Sequence, residues 1–178
     1  MQQLEPFDLI LFGGTGDLAM RKLLPALYRR VSAGQIAAAS RIISVARSDL
    51  TREGYLAAVE AKCRPHLGAD EFTAEHWQAF VALVDYLPVN ATVAAHFERL
   101  AAKLKGSEDR VRVMFLSMAP SLFTATCENL GRANIVTPRS RVVLEKPLGQ
   151  DRASAAAINE LVGSIFHEQQ IYRSDHYL

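Results

Sequence analysis

The chain has 178 residues, 49% of them hydrophobic, which is enough apolar material for one substantial core. Its 20 basic and 19 acidic residues are spread along the sequence and give a formal net charge of +1, so neither nucleic acid nor a membrane surface is expected as a partner. Two widely separated cysteines, the absence of a signal-like start and the lack of an apolar run of about 18 residues predict a cytoplasmic protein.

Strand and helix patterns alternate along the chain. Short apolar runs that end at turn residues predict buried parallel strands at 7–14, 41–47, 110–118, 140–146 and 170–175. Helical spacing of apolar residues follows each of the first two strands and recurs at 74–82, 92–105, 121–132 and 151–168. The stretch 83–90 is compatible with a strand or a loop, because Pro88 cannot donate to a sheet ladder. The pattern predicts an α/β fold, Rossmann-like and doubly wound, with a mostly parallel sheet and helices on both faces.

The first junction between strand and helix carries a glycine-rich turn. Gly13, Gly16 and Ala19 have the spacing G-x-x-G-x-x-A, one residue away from the commonest dinucleotide-binding pattern. Small residues there permit a tight turn and a close approach of a pyrophosphate to the backbone at the start of the helix. The alternative is a glycine turn that serves packing alone.

The residues just after this turn modify that picture. Asp17 opposes an anion by charge, but it is also a good N-cap, and Arg21 and Lys22 one turn later can offset its charge. Pro25 is costly inside a helix, so we expect either a kink or an early end to the first turn.

Arg47 lies at the predicted tip of the second strand, about thirty residues after the glycine turn. The residue at this position commonly reads the adenosine ribose, and an arginine suits a 2′-phosphate where an acid would repel it. NADP is therefore favoured over NAD. Arg47 as a solvated strand end is the alternative, and Asp49 leaves some ambiguity.

Five motifs resemble, in order and spacing, the amino-terminal part of the glucose-6-phosphate dehydrogenase family. They are "GGTGDLAMRKLLPALY" (13–28), "SVARS" (44–48), "FLSMAPSLF" (115–123), "VVLEKPLGQD" (142–151) and "YRSDHYL" (172–178). The resemblance implies an enzyme that oxidises glucose 6-phosphate to the phosphogluconolactone by transferring hydride to NADP. It also implies that residues 1–178 are its NADP-binding domain without the larger substrate domain, so this chain should bind NADP and be inactive. A homo-oligomer is implied for the family and is not expected to survive in this chain.

The resemblance assigns functions to individual residues. Coenzyme contacts fall on Gly13, Gly14, Thr15, Gly16, Asp17, Leu18, Lys22, Arg47, Met118, Pro120 and Lys146. Lys146 should lie between coenzyme and sugar, with a candidate cis bond to Pro147. His176 and Tyr177 resemble ligands of the sugar phosphate, and Asp175 resembles the carboxylate that orients a catalytic histidine. A surface lysine and frayed terminal residues are the alternatives for these positions.

The sequence departs from the family at three positions. Met20 replaces a common basic residue, Ser174 a common Ile, and Pro88 a frequent acid near the coenzyme ribose. No metal site is expected, since His66, His76, His96 and His167 have no partners at metal spacing.

Two other functions remain open. One is a free-standing nucleotide-binding or sensor module without catalysis. The other, a sugar-modifying reductase of the short-chain type, is weaker because "YRSDH" lacks the lysine of the Tyr-x-x-x-Lys motif.

Overall fold

The computed structural model describes residues 3–145, 148–149 and 151–174. Six strands form one parallel sheet in the order β3-β2-β1-β4-β5-β6. Their bounds are β1 Phe7–Phe12, β2 Arg41–Ala46, β3 Val84–Pro88, β4 Val111–Leu116, β5 Ser140–Glu145 and β6 Ile171–Ser174. All five predicted strands are present, and β1, β2 and β4 are shorter than predicted. The predicted last residues of β5 and β6, 146 and 175, lie outside the described residues. The uncertain stretch 83–90 contains the strand β3. It tolerates Pro88 because β3 is an edge strand and Pro88 is its last residue.

Helices connect the strands as the alternating pattern predicts. They are α1 Leu24–Ser32, α2 Arg52–Cys63, α3 Ala74–Leu83, α4 Ala94–Leu104, α5 Phe123–Arg132 and α6 Arg152–Ile165. Short 3₁₀ turns account for two of the differences from the predicted bounds. One, Pro120–Leu122, precedes α5, and another, Glu168–Gln170, follows α6.

Pro25 disturbs the first helix, as its sequence position predicts, through a π-helical turn. Residues Ala19–Leu23 form this turn, and the Leu24 N–H donates to the Ala19 carbonyl five residues earlier. Pro25 then lies in the first turn of α1, where its missing N–H is least costly. A proline after a wide turn therefore sets where α1 begins.

The sheet is covered by helices on both sides, so the doubly wound prediction is correct. One core cluster includes residues of α1, α2 and α3, and the other includes residues of α4, α5 and α6. Trp77 lies in the first cluster, and Cys63 and Cys127 are fully buried free thiols. Burial raises the pKa of each thiol to about 12, as expected for inert core cysteines.

A buried carboxylate closes the amino end of the sheet. Asp8 is completely buried on β1 and accepts two hydrogen bonds of 2.7 Å from the Arg41 guanidinium on β2. The Ser107 hydroxyl donates a third at 2.7 Å, and Arg110 lies 3.6 Å away. Asp8 therefore joins β1, β2 and the loop before β4 at the edge opposite the glycine turn.

The order in which the chain adds strands to the sheet reverses between β1 and β4. The chain moves from β1 outward to β3 on one side and from β4 outward to β6 on the other. In sheets of this order, ligands bind in the crevice at the carboxyl ends of the strands next to that reversal. The glycine turn directly follows β1 and so lies at this position.

Candidate functional site

Gly13 holds the tightest part of the turn after β1. Its φ is +79°, and its N–H and that of Gly14 both donate to the Val45 carbonyl, at 2.9 and 3.1 Å. A Cβ atom on Gly13 would lie 1.9 Å from the Ser117 carbonyl oxygen. Both the backbone conformation and this contact require glycine.

Gly14 also has no room for a side chain. A Cβ atom on Gly14 would lie 2.6 Å from the Cβ atom of Ser44 on β2, whereas one on Gly16 would meet the Gly13 carbonyl oxygen at 3.0 Å. The motif spacing identifies Gly13 and Gly16. It does not indicate that Gly14 packs against β2, because Ser44 is distant in sequence. Gly16 is exposed, so its small size keeps the surface of the turn open.

Asp17 does not cap the helix, contrary to expectation. It is itself the first helical residue, and its carboxylate instead pairs with Arg21 at 3.1 Å. Arg21 thus offsets the charge of Asp17, as the sequence predicts, through an exposed ion pair. The first N–H groups of a helix lack intrahelical acceptors, so the amides after Gly16 suit an anion.

A cavity of about 230 Å³ opens beside the turn. It is lined by Thr15, Gly16, Asp17, Met20, Arg21, Lys62 and His66. Lys62 belongs to α2 and forms no hydrogen bond or ion pair within the described residues, so its charge is available to an anion. Sequence reasoning missed Lys62, since nothing in the pattern of α2 places it beside a turn that lies nearly fifty residues earlier. Met20 is buried in the wall and adds no charge there.

Arg47 follows the last residue of β2 and is exposed. Neither it nor Lys22 forms a hydrogen bond or ion pair with the part of the chain that the structure describes. The Val45 carbonyl, two residues before Arg47, accepts the bonds from the glycine turn. The structure therefore brings the turn and the strand tip that carries Arg47 side by side, and no side chain in the described part of the chain pairs with that guanidinium.

Two tyrosines that the sequence patterns did not indicate support these loops. The Tyr55 hydroxyl donates to the Gly14 carbonyl at 2.8 Å, and the Tyr86 hydroxyl donates to the Ser48 carbonyl at 2.6 Å. Their rings stack with centroids 4.6 Å apart and an angle of 19° between planes. Burial raises the pKa of Tyr55, and burial and the negative charge of Asp49 raise that of Tyr86, so both phenols keep the proton they donate.

The residues after β4 complete the described part of the site. The Ser117 N–H donates to the Phe12 carbonyl at 3.0 Å, which places Met118 and Pro120 just beyond the glycine turn. Both side chains are half-buried, and the Thr126 hydroxyl contacts the Met118 sulfur at 3.5 Å. Their predicted coenzyme contacts stay predictions.

Four predicted site residues lie outside the described residues: Lys146, Asp175, His176 and Tyr177. The strands that precede them, β5 and β6, end at Glu145 and Ser174 on the same edge of the sheet as the glycine turn. Within residues 3–145, 148–149 and 151–174, no cluster of three or more His, Cys, Asp or Glu side chains could hold a metal. None of the helices described there is long and apolar enough to span a membrane.

A glycine turn at the reversal point of a parallel sheet ordered 3-2-1-4-5-6 defines a dinucleotide-binding domain of the Rossmann class. Residues 10–178 match the model of the family described as glucose-6-phosphate dehydrogenase, NAD binding domain. The chain belongs to that family.

Proteins named glucose-6-phosphate 1-dehydrogenase are similar to this chain over nearly all of its length. The glucose-6-phosphate 1-dehydrogenase of Gluconobacter oxydans is 47% identical over 99% of this chain and 37% of its own length. That of Mycolicibacterium smegmatis is 45% identical over 98% of this chain and 36% of its own length. The chain thus spans little more than a third of these relatives.

Solved structures agree with this assignment. Glucose-6-phosphate 1-dehydrogenase from Mycobacterium avium has a TM-score of 0.87 at 32% identity, covering 97% of this chain and 36% of that one. A glucose-6-phosphate dehydrogenase in complex with its substrate glucose-6-phosphate has a TM-score of 0.83 at 27% identity, covering 99% of this chain and 38% of that one.

Proposed function

We propose that this chain is the coenzyme-binding part of an NADP-dependent glucose-6-phosphate dehydrogenase. The observation that carries the choice of NADP is Arg47, an exposed guanidinium without a partner among the described residues, at the tip of β2 beside the glycine turn. In Rossmann folds this strand tip reads the adenosine ribose. A free guanidinium there is suited to the 2′-phosphate that distinguishes NADP from NAD.

The turn fits the pyrophosphate of a dinucleotide. Its glycines keep side chains away from the backbone where a phosphate would approach, and the helix that starts at Asp17 offers unpaired N–H groups. We assign the pyrophosphate to the turn from Gly13 to Leu18. The Gly13, Gly14 and Gly16 N–H groups donate within the fold, so the amides of Thr15, Asp17 and Leu18 are the ones we expect to bind it. We assign the nicotinamide half to the surface near Met118 and Pro120. Bound NADP supplies the hydride acceptor, and the part of these residues is to bind and orient it.

Asp17 places one negative charge at this site, which would oppose a pyrophosphate. Its pairing with Arg21, together with the free charge of Lys62 in the same cavity, offsets that repulsion. Lys22, about one turn after Asp17, adds a second cation that has no partner among the described residues. The local charge balance is therefore compatible with an anionic ligand.

The substrate assignment rests on the relatives' names and on the family motifs. We propose glucose 6-phosphate as the small-molecule substrate, with Lys146, His176 and Tyr177 as its ligands and Asp175 as the residue that orients a base. The oxidation would yield the phosphogluconolactone, and we propose the cytoplasm as its location. No observation in the described residues favours the sensor module over the enzyme.

Calorimetric titration of the purified chain with NADP and with NAD tests the proposal. We expect saturable binding of one NADP per chain and weaker binding of NAD. Absence of heat for both coenzymes, with a folded protein by circular dichroism, would contradict it.

A further inference from the structure

The Tyr86 hydroxyl lies between the two peptide carbonyls that flank Arg47. It is 2.6 Å from the Ser48 carbonyl oxygen and 3.3 Å from that of Ala46. A hydroxyl has one proton, and the shorter contact identifies Ser48 as the stronger acceptor. The main chain on both sides of Arg47 is therefore in contact with a single side chain from the neighbouring strand β3.

Neither carbonyl depends on Tyr86 alone. The Val89 N–H also donates to the Ala46 carbonyl at 2.8 Å, and the Leu50 N–H donates to the Ser48 carbonyl at 3.1 Å. Removing the hydroxyl therefore leaves no buried acceptor without a donor, and the fold should tolerate its loss. What it removes is a restraint on the direction of the backbone at Arg47.

The ring of Tyr86 is held in turn by Tyr55. The two rings stack at 4.6 Å, and the Tyr55 hydroxyl bonds to the glycine turn through the Gly14 carbonyl. Tyr55 is fully buried and Tyr86 is 5% exposed. Each tyrosine thus supports a different loop: Tyr55 the turn that any dinucleotide would use, and Tyr86 the strand tip that only a 2′-phosphate would use.

We propose that Tyr86 is a positioning residue for coenzyme preference, which aims Arg47 at the 2′-phosphate by fixing the backbone on both sides of it. The inference rests on the proposed function. Tyr86 acts on NADP and not on NAD, because NAD has no group that Arg47 would bind. Tyr55 acts on both coenzymes equally.

The test compares Tyr86→Phe with Tyr55→Phe, two variants that each lose one buried hydroxyl and keep the stacked rings. For Tyr86→Phe we expect the Kd of NADP to rise about fivefold, the scale of one neutral hydrogen bond, with the Kd of NAD within about twofold of wild type. For Tyr55→Phe we expect both Kd values to rise by the same factor, so that the NADP to NAD preference stays at the wild-type ratio. Calorimetry measures these Kd values for the two variants and for two more described below, and melting curves confirm that each variant is folded.

The remaining two variants, Arg47→Ala and the double variant Arg47→Ala with Tyr86→Phe, show whether Tyr86 acts through Arg47. We expect the two to bind NADP with the same Kd, because the Tyr86 hydroxyl has no effect on NADP binding once the Arg47 guanidinium is absent. Equal weakening of both coenzymes by Tyr86→Phe, an unchanged preference, or a full effect in the Arg47→Ala background would overturn the inference. A wild-type chain that binds neither coenzyme would instead refute the proposed function, and this inference with it.

Discussion

Gly13 lies so close to the Ser117 carbonyl that no other residue fits: a Cβ atom there would be 1.9 Å from the oxygen. Gly13→Ala should therefore destabilise the whole domain, because β1 and β4 would have to separate. Gly34 is the matched control, since its φ is also positive, +67°, but its Cβ would meet nothing within 4 Å. Gly34→Ala should cost only the left-handed backbone, about 1 to 2 kcal/mol. Urea unfolding of both variants separates the cost of the backbone conformation from the cost of the contact with Ser117. Equal free energies of unfolding for the two variants would show that the structure relaxes around that contact without cost.

Gly16→Val should remove coenzyme binding without unfolding the protein. Gly16 is exposed, and its Cβ would touch only the Gly13 carbonyl, at 3.0 Å, so a side chain can be accommodated. That side chain would nevertheless occupy the surface where a pyrophosphate must approach the turn. We expect native circular dichroism and no detectable heat with NADP or NAD. If the affinity for both survives, the turn serves packing and the pyrophosphate lies elsewhere.

Asp8→Asn should destabilise the fold although it lies far from the glycine turn. The change leaves Arg41 without its buried counter-ion, and breaking such a pair costs about 3 kcal/mol, the low end of the range because Arg41 is 33% exposed. Glu60→Gln is the control, since its ion pair with Arg64 is about half exposed and should contribute less than about 1 kcal/mol. Denaturant unfolding measures both, and similar values for the two variants would mean that Asp8 is not essential to the sheet edge.

The stabilisation from Asp8 should also depend on pH. Burial alone would raise its pKa, but hydrogen bonds from Arg41 and Ser107 and the charges of Arg41 and Arg110 lower it below the ordinary value. A carboxyl whose pKa is lower in the folded state stabilises above its unfolded pKa, about 3.9, and loses this as pH falls through the folded value. The stability difference between wild type and Asp8→Asn should thus be constant from pH 7 to about 5 and shrink below about 4. A difference that grows on acidification would contradict the assignment.

The chain by itself should not oxidise glucose 6-phosphate at a measurable rate. It spans about 36% of its relatives, and the resemblance assigns the catalytic histidine to the part that follows this domain. Loss of a general base costs on the order of a hundred- to ten-thousand-fold in rate, before any loss of substrate positioning. NADPH absorbance with the mass-verified chain is the assay. Turnover near that of an ordinary dehydrogenase would mean that one of its own histidines acts as the base.

Much of the fold could be read from local patterns. The strands β1 and β2 were predictable because each is a buried apolar run that ends at a turn. In β4 and β5 buried residues alternate with half-buried ones, and β6 is mostly exposed. The strand β3 was uncertain because Pro88 is its last residue. Asp17 was misassigned because its residue type suits a cap, whereas the start of the helix is set by the glycine turn and by the π-helical turn before Pro25.

The side chains that hold the loops of the site in place could not be predicted from local sequence patterns. Tyr55 contacts a carbonyl 41 residues away and Tyr86 one 38 residues away, so only the folded chain brings them together. Lys62 was missed for the same reason. Arg47 could be predicted because its position relative to a strand end is a local feature, and its contact with the coenzyme stays a prediction.

Titration of Arg47→Glu with both coenzymes tests the central claim most directly. Arg132→Glu is the control, a charge reversal at an exposed arginine in the last turn of α5. We expect Arg47→Glu to weaken NADP binding by about 2 kcal/mol or more, roughly thirtyfold, through the lost charge-assisted pair and the added repulsion. NAD binding to Arg47→Glu, and both coenzymes with Arg132→Glu, should stay near wild type. Equal loss of NADP and NAD affinity in Arg47→Glu, or no loss of either, would show that Arg47 does not read a 2′-phosphate.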